Sequence, residues 1–165
     1  MTPLAWILGL VLPACAAEGA GGLPVPGLMD ITRIERPSTP NTFLAGPAGM
    51  TPTPDLVIAE QNASAGDLFN AIRSIAERQP RSYTAAVFPD RMQVHYVVRS
   101  ALLNFPDLVT IQAGPARGTL IIWSRSVYGR RDFGVNMART EAWLAALPFA
   151  APHAKSGDTG QASTP

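Results

Sequence analysis

The sequence predicts an α+β domain: a four-stranded antiparallel sheet with two helices packed on one face, in the order helix, four strands, helix. Three observations predict it. One segment near residue 70 repeats its apolar residues at helical spacing. Four apolar runs follow, joined by short connectors. A second helical pattern closes the series before Pro148.

The first helix starts at Ser64, with Asp67 three residues on in a capping-box arrangement. Leu68, Phe69, Ile72, Ile75 and Ala76 share one face, and Pro80 ends the pattern. The expected strands are residues 83–88, 92–100, 108–113 and 119–126. In the second, Met92, Val94, Tyr96 and Val98 alternate with Gln93, His95, Val97 and Arg99. Pro89-Asp90 and the stretch 114–118 are turn-like, so the strands should run antiparallel. The last helix runs from about Asn136 to Leu147, capped by Asp132 or Asn136, with Thr140, Trp143, Leu144 and Leu147 on one face.

A chain of 165 residues with 47% apolar and 15% charged residues accommodates one domain with a packed core. The apolar run at residues 4–12 is shorter than the roughly 20 residues a membrane span needs. It has the length of a signal-peptide core. Leu12-Pro13-Ala14-Cys15 behind it resembles a lipobox, in which Cys15, the sole cysteine, is lipidated. The segment before the run lacks Lys and Arg, so ordinary cleavage near Ala14–Ala16 and an uncleaved, buried N-terminal helix stay open as alternatives. The expected organisation is therefore a signal peptide over 1–15, a Gly/Pro-rich tether and extended arm over 16–54, the domain over 55–148, and a disordered tail over 149–165. The expected location is the envelope: secreted across the inner membrane and held by a lipid facing the periplasm, or else soluble in the periplasm.

A net charge of +1 argues against a nucleic-acid partner. Two distant histidines and one cysteine give no metal spacing, and no dinucleotide or phosphate-loop pattern occurs, so no cofactor is expected. His95 reads as a structural histidine. The charge is uneven, however: between Arg91 and Arg139 seven arginines stand against two aspartates, a local +5.

The densest polar block is residues 124–139, at the joint between the last strand and the last helix. Ser124, Arg125, Ser126, Arg130, Arg131, Asp132, Asn136 and Arg139, together with Arg99, form the candidate binding site. Guanidinium forks take carboxylate or phosphate, and the amides of a helix start add to them. The partner would be an anionic small molecule, a lipid head group or an envelope protein. Two alternatives compete. In a hydrolase, Asp107 or Asp132 would act as acid or base beside an arginine, which requires Asp107, Asp132 and Arg99 to meet in one cleft. In a purely structural component, Asp132 and Arg139 would pin the joint.

The block and what precedes it resemble a family known only as domain of unknown function 1499, which occurs in bacteria and plant plastids. The residues that carry the resemblance are Pro40-Asn41, Arg99-Ser100, Phe105, Asp107, Ser124, Ser126, Gly129, Asp132, Gly134, Asn136 and Arg139. The family's late pattern is Arg-Ser-x-Ser-Arg-x-Gly-x-x-Asp-x-Gly-x-Asn-x-x-Arg. Here Trp123 and Val127 replace the flanking arginines, and Arg125 stands between the serines. Leu108 follows Asp107 where the family often has a second acid. The resemblance covers about residues 36–147 and implies no activity.

Overall fold

A computed structural model describes residues 14–114 and 118–149, together with the strand segment Ala154–Lys155. The expected signal-peptide core, most of the tail and most of the 114–118 connector lie outside the described residues. Strands β1 (Thr42–Gly46), β2 (Leu56–Val57), β3 (Ser82–Phe88), β4 (Gln93–Arg99), β5 (Pro106–Ala113) and β6 (Leu120–Ser126) form one sheet. Two-residue β7 (Ala154–Lys155) extends its edge, giving the order β3-β4-β5-β6-β1-β2-β7. Helices α1 (Ala65–Glu77) and α2 (Val135–Ala145) flank the β3–β6 series in the chain, and residues 14–16 are also helical.

The expected four-stranded antiparallel sheet with two helices is therefore wrong. β1 and β2 join the sheet, and they pair parallel, with Ala45 opposite Leu56. Both strands are too short to show a periodicity of their own. β1 is specified instead by its antiparallel partner β6, with Phe43 opposite Ser124 and Leu44 opposite Trp123. Asp55 locks the region by accepting from the Leu44 amide at 2.8 Å and from Arg36 Nη1 at 2.8 Å.

α1 begins where Ser64 Oγ accepts from the Asp67 amide at 3.1 Å. Its buried Leu68, Phe69, Ile72, Ile75 and Ala76 meet Val94, Tyr96, Val109, Ile111 and Ile122 of the sheet. Trp143 and Leu144 of α2 join the same core, and Trp143 meets Tyr96 edge-on at 6.2 Å between ring centres. Burial and the neighbouring Glu77 push the Tyr96 hydroxyl up to about 12.

The other face of β4 is polar yet buried. Gln93, His95 and Arg99 point there, and all three are covered by the segment before β1. Gln93 exchanges two 2.8 Å hydrogen bonds with the backbone of Met29. His95 Nε2 donates to the Gly27 carbonyl at 3.0 Å, which leaves Nδ1 to accept from Thr110 Oγ1 at 2.9 Å. Arg99 donates to the carbonyls of Ala14, Gly19 and Gly21, each at 2.7 Å. A non-regular segment carries unpaired carbonyls, and these side chains satisfy them. Ile31 and Ile34, at a short 3-10 turn, complete the cover by packing on Leu44, Ile121 and Trp123.

Burial holds the His95 imidazole below its ordinary 6.5, with the nearby Arg125 charge a smaller cause in the same direction. The unfolded chain then takes up the proton more readily than the native one. The stability contribution is complete above pH 6.5 and declines as pH falls below it. Melting temperature measured against pH should show this acid-side loss in the wild type and a flatter curve in His95→Gln. Parallel curves would remove His95 as the cause.

Candidate functional site

In β5 and β6, Asp107 lies opposite Ser126, and Val109 opposite Ser124. Alternation turns Asp107, Ser124 and Ser126 towards α2 and sends Arg125 to the opposite face of the sheet. α2 crosses above that end with Asn136 and Arg139 three residues apart on its lower side.

These groups form one buried polar knot. Arg139 Nη2 donates to Asp107 Oδ2 at 2.5 Å, and both side chains are 10% exposed. Arg139 Nη1 donates to Ser124 Oγ at 2.9 Å and to Asn136 Oδ1 at 2.8 Å. Ser124 Oγ donates to Asn136 Oδ1 at 2.6 Å. The Asn136 amide nitrogen donates in turn to the Asn41 carbonyl at 3.0 Å and to Ser126 Oγ at 3.3 Å. Asn41 reaches on to the Gly129 carbonyl at 2.8 Å. Thus β1's approach, β6 and the joint meet α2 at Asn136, and β5 meets it at Arg139.

The joint itself is shaped by Asp132. Its carboxylate accepts from the Gly134 amide at 3.2 Å and the Asn136 amide at 3.0 Å, capping α2 from outside. Gly134 occupies the N-cap at φ 81°, a left-handed conformation that suits glycine. Phe133 before it is also left-handed, at φ 53°, which is costly for a bulky residue. The residue is 92% exposed.

Above the knot opens a cleft of about 420 Å³. Asp107, Ser126 and Asp132 belong to its lining, and so does the exposed Arg131. Leu102, Leu103 and Phe105 from the β4–β5 connection, Phe133 from the joint and Val135 at the start of α2 form an apolar rim. All five are exposed, Leu102 by 90%. A cluster of exposed large apolar side chains around one cleft marks an interaction surface rather than scattered surface residues.

The arginines expected to form one cationic pocket are divided. Arg139 is spent on Asp107 inside the knot. Arg99 is buried under the segment before β1, on the other side of the sheet. Arg125 lies on that other side too, in a separate cleft of about 500 Å³ with Arg33, Arg36 and Trp123, and burial lowers its basicity. Arg130 and Arg131 are exposed on the joint. Ser124, Asn136 and Asp132 are engaged within the protein. Cys15 lies beside the β4–β5 connection, its carbonyl accepting from Asn104 Nδ2. Among the described residues no cluster of His, Cys, Asp and Glu is arranged to hold a metal, and no helix is long and apolar enough to cross a membrane.

Sequence reasoning missed two parts. Asn41 was noticed only as part of a resemblance, although it joins β1 to the joint. Of the apolar rim, the sequence marks only Phe105, through the resemblance, and not as an exposed surface. Its signal was the run from Leu102 to Phe105 in a connector between two strands whose core faces were already filled.

No curated protein and no solved structure matches the chain. A family model described as a protein of unknown function does match, over residues 34–147. That span holds the knot, the cleft and every strand from β1 to β6. The chain therefore belongs to the DUF1499 family.

Proposed function

We propose that this chain is a secreted, lipid-anchored envelope protein whose domain binds an anionic amphiphile without catalysis. The observation that carries the reading is the cleft above the knot, where an exposed apolar rim surrounds a polar floor and Arg131 stands at the edge. The rim suits an alkyl chain, and Arg131 suits a carboxylate or phosphate head. Arg139, Asn136 and Ser124 support the cleft through their mutual hydrogen bonds instead of contacting the ligand, and Asp132, in the cleft wall, caps α2. The hydrolase alternative needed Asp107, Asp132 and Arg99 in one cleft. Arg99 lies across the sheet, and both carboxylates are already occupied by internal donors, so that alternative is set aside.

Binding is tested by calorimetric titration with oleate below its aggregation range. The wild type should bind one molecule with a negative heat-capacity change. Phe133→Asp should abolish binding, and Arg131→Gln should weaken it about tenfold through loss of one charge-assisted contact. Equal affinity in all three proteins, or none in the wild type, overturns the reading.

The anchor is tested separately by intact mass after expression in a Gram-negative host. The wild type should begin at a diacylglyceryl-modified Cys15 and fractionate with membranes, whereas Cys15→Ser should lose the added mass. An unmodified wild type removes the anchor but leaves the cleft reading in place.

A further inference from the structure

The β4–β5 connection, which bears Leu102, Leu103 and Phe105 of the rim, also receives the N-terminal end of the described chain. Leu102, Leu103 and Phe133 project from two different connections at the same end of the sheet, and all line the cleft. Asn104, next to Leu103, takes the left-handed conformation at φ 55° and donates to the carbonyls of Cys15 and Ala17. Arg99, which ends β4 just before this connection, donates to the carbonyls of Gly19 and Gly21. Cys15 is thus fixed beside the β4–β5 connection that bears Leu102 and Leu103. What precedes it is the apolar run 4–12, and what Cys15 would carry as a lipoprotein is an acyl group. Either is at home in a bilayer. The exposed Arg130 and Arg131 stand at the same joint as Phe133 and complement anionic head groups.

We infer that the edge bearing Leu102, Leu103 and Phe133 is a membrane-docking face, on which the domain lies against an anionic bilayer with its cleft opening towards the lipid. The inference rests on the reading of the cleft as an amphiphile site and names the bilayer as the source of that amphiphile. Three side chains at this exposure transfer their apolar area into the interface, while the arginines remain at head-group level. A tether at residues 14–17 alone would hold the domain near the membrane in any orientation. The rim selects one orientation, with the β3–β4 turn pointing away, because that turn lies at the opposite end of β4.

The test reads depth. In the full chain carrying Cys15→Ser, a single cysteine is introduced as Leu102→Cys, Phe133→Cys or Asp90→Cys and labelled with an environment-sensitive fluorophore. All three positions are exposed, so labelling leaves the core untouched. Each protein is mixed with vesicles of phosphatidylcholine and phosphatidylglycerol whose acyl chains carry bromine quenchers. The labels at 102 and 133 should lose most of their emission, and the label at 90 should keep it. Quenching at 102 and 133 no greater than at 90, or no vesicle binding, overturns the docking face. Oleate binding in solution is read independently. Docking can therefore fail while the cleft reading stands, and bilayer quenching without oleate binding would keep the face and remove the cleft ligand.

Discussion

Arg139 holds the last helix against the sheet through the buried Asp107 carboxylate, with Asn136 beside it bonded to Ser124 and Ser126, and the arrangement of this end of the molecule follows from those contacts. The two side chains sit one helical turn apart, so a single face of α2 reaches β5 through Asp107, β6 through Ser124 and Ser126, and the approach to β1 through Asn41. A carboxylate and a guanidinium at 10% exposure are costly to bury and tolerable only together, with further hydrogen bonds on the remaining donors. That requirement selects one position of the helix. It also fixes the joint of residues 127–134, because Asp132 can cap the helix only when Asn136 is already in place. Phe133 is then left outward in a backbone conformation it would not choose.

The opposite face obeys a parallel rule. β4 turns Gln93, His95 and Arg99 away from the helices, and a sheet face of this kind would ordinarily be left to water. Here the segment from residue 14 to Ile34 covers it, trading its own carbonyls and amides for side-chain partners. The molecule consequently has a helical layer, a sheet and a thin irregular layer. The apolar pair Ile31 and Ile34 anchors the far end of that irregular layer on Trp123. Arg99 anchors the near end, at the edge where the β4–β5 connection presents Leu102 and Leu103. Arg99 and the knot, on opposite faces, therefore lie at the same end of the sheet.

Much of this was readable from residue order, for definable reasons. α1 and the strands from β3 to β6 are long enough for period to reveal them, and the Ser64 cap needs only local sequence. β1 and β2 were unreadable because five and two residues carry no period, and the pairing of β1 with β6 depends on residues more than 60 positions away. The importance of the 124–139 block was legible, but its role was misjudged. Arginine density suggested one pocket, whereas strand alternation had already placed Arg125 on the side away from Ser124 and Ser126. Arg99 could not be assigned to the arm because no local pattern shows which segment will cover a strand face. The rim escaped notice as a surface because exposed leucine and phenylalanine look like core residues until the core is seen to be complete.

The account stands on the claim that Asp107 and Arg139 act as one buried unit. A double-mutant cycle in chemical denaturation tests it with Asp107→Leu, Arg139→Met and the double variant. Removing Arg139 alone strands a buried carboxylate and should cost about 3–5 kcal/mol. The double variant should be less destabilised than Arg139→Met, giving a coupling energy above about 1 kcal/mol. Strictly additive losses, or a negligible cost for Arg139→Met, would contradict the claim that this pair organises the joint and the cleft above it.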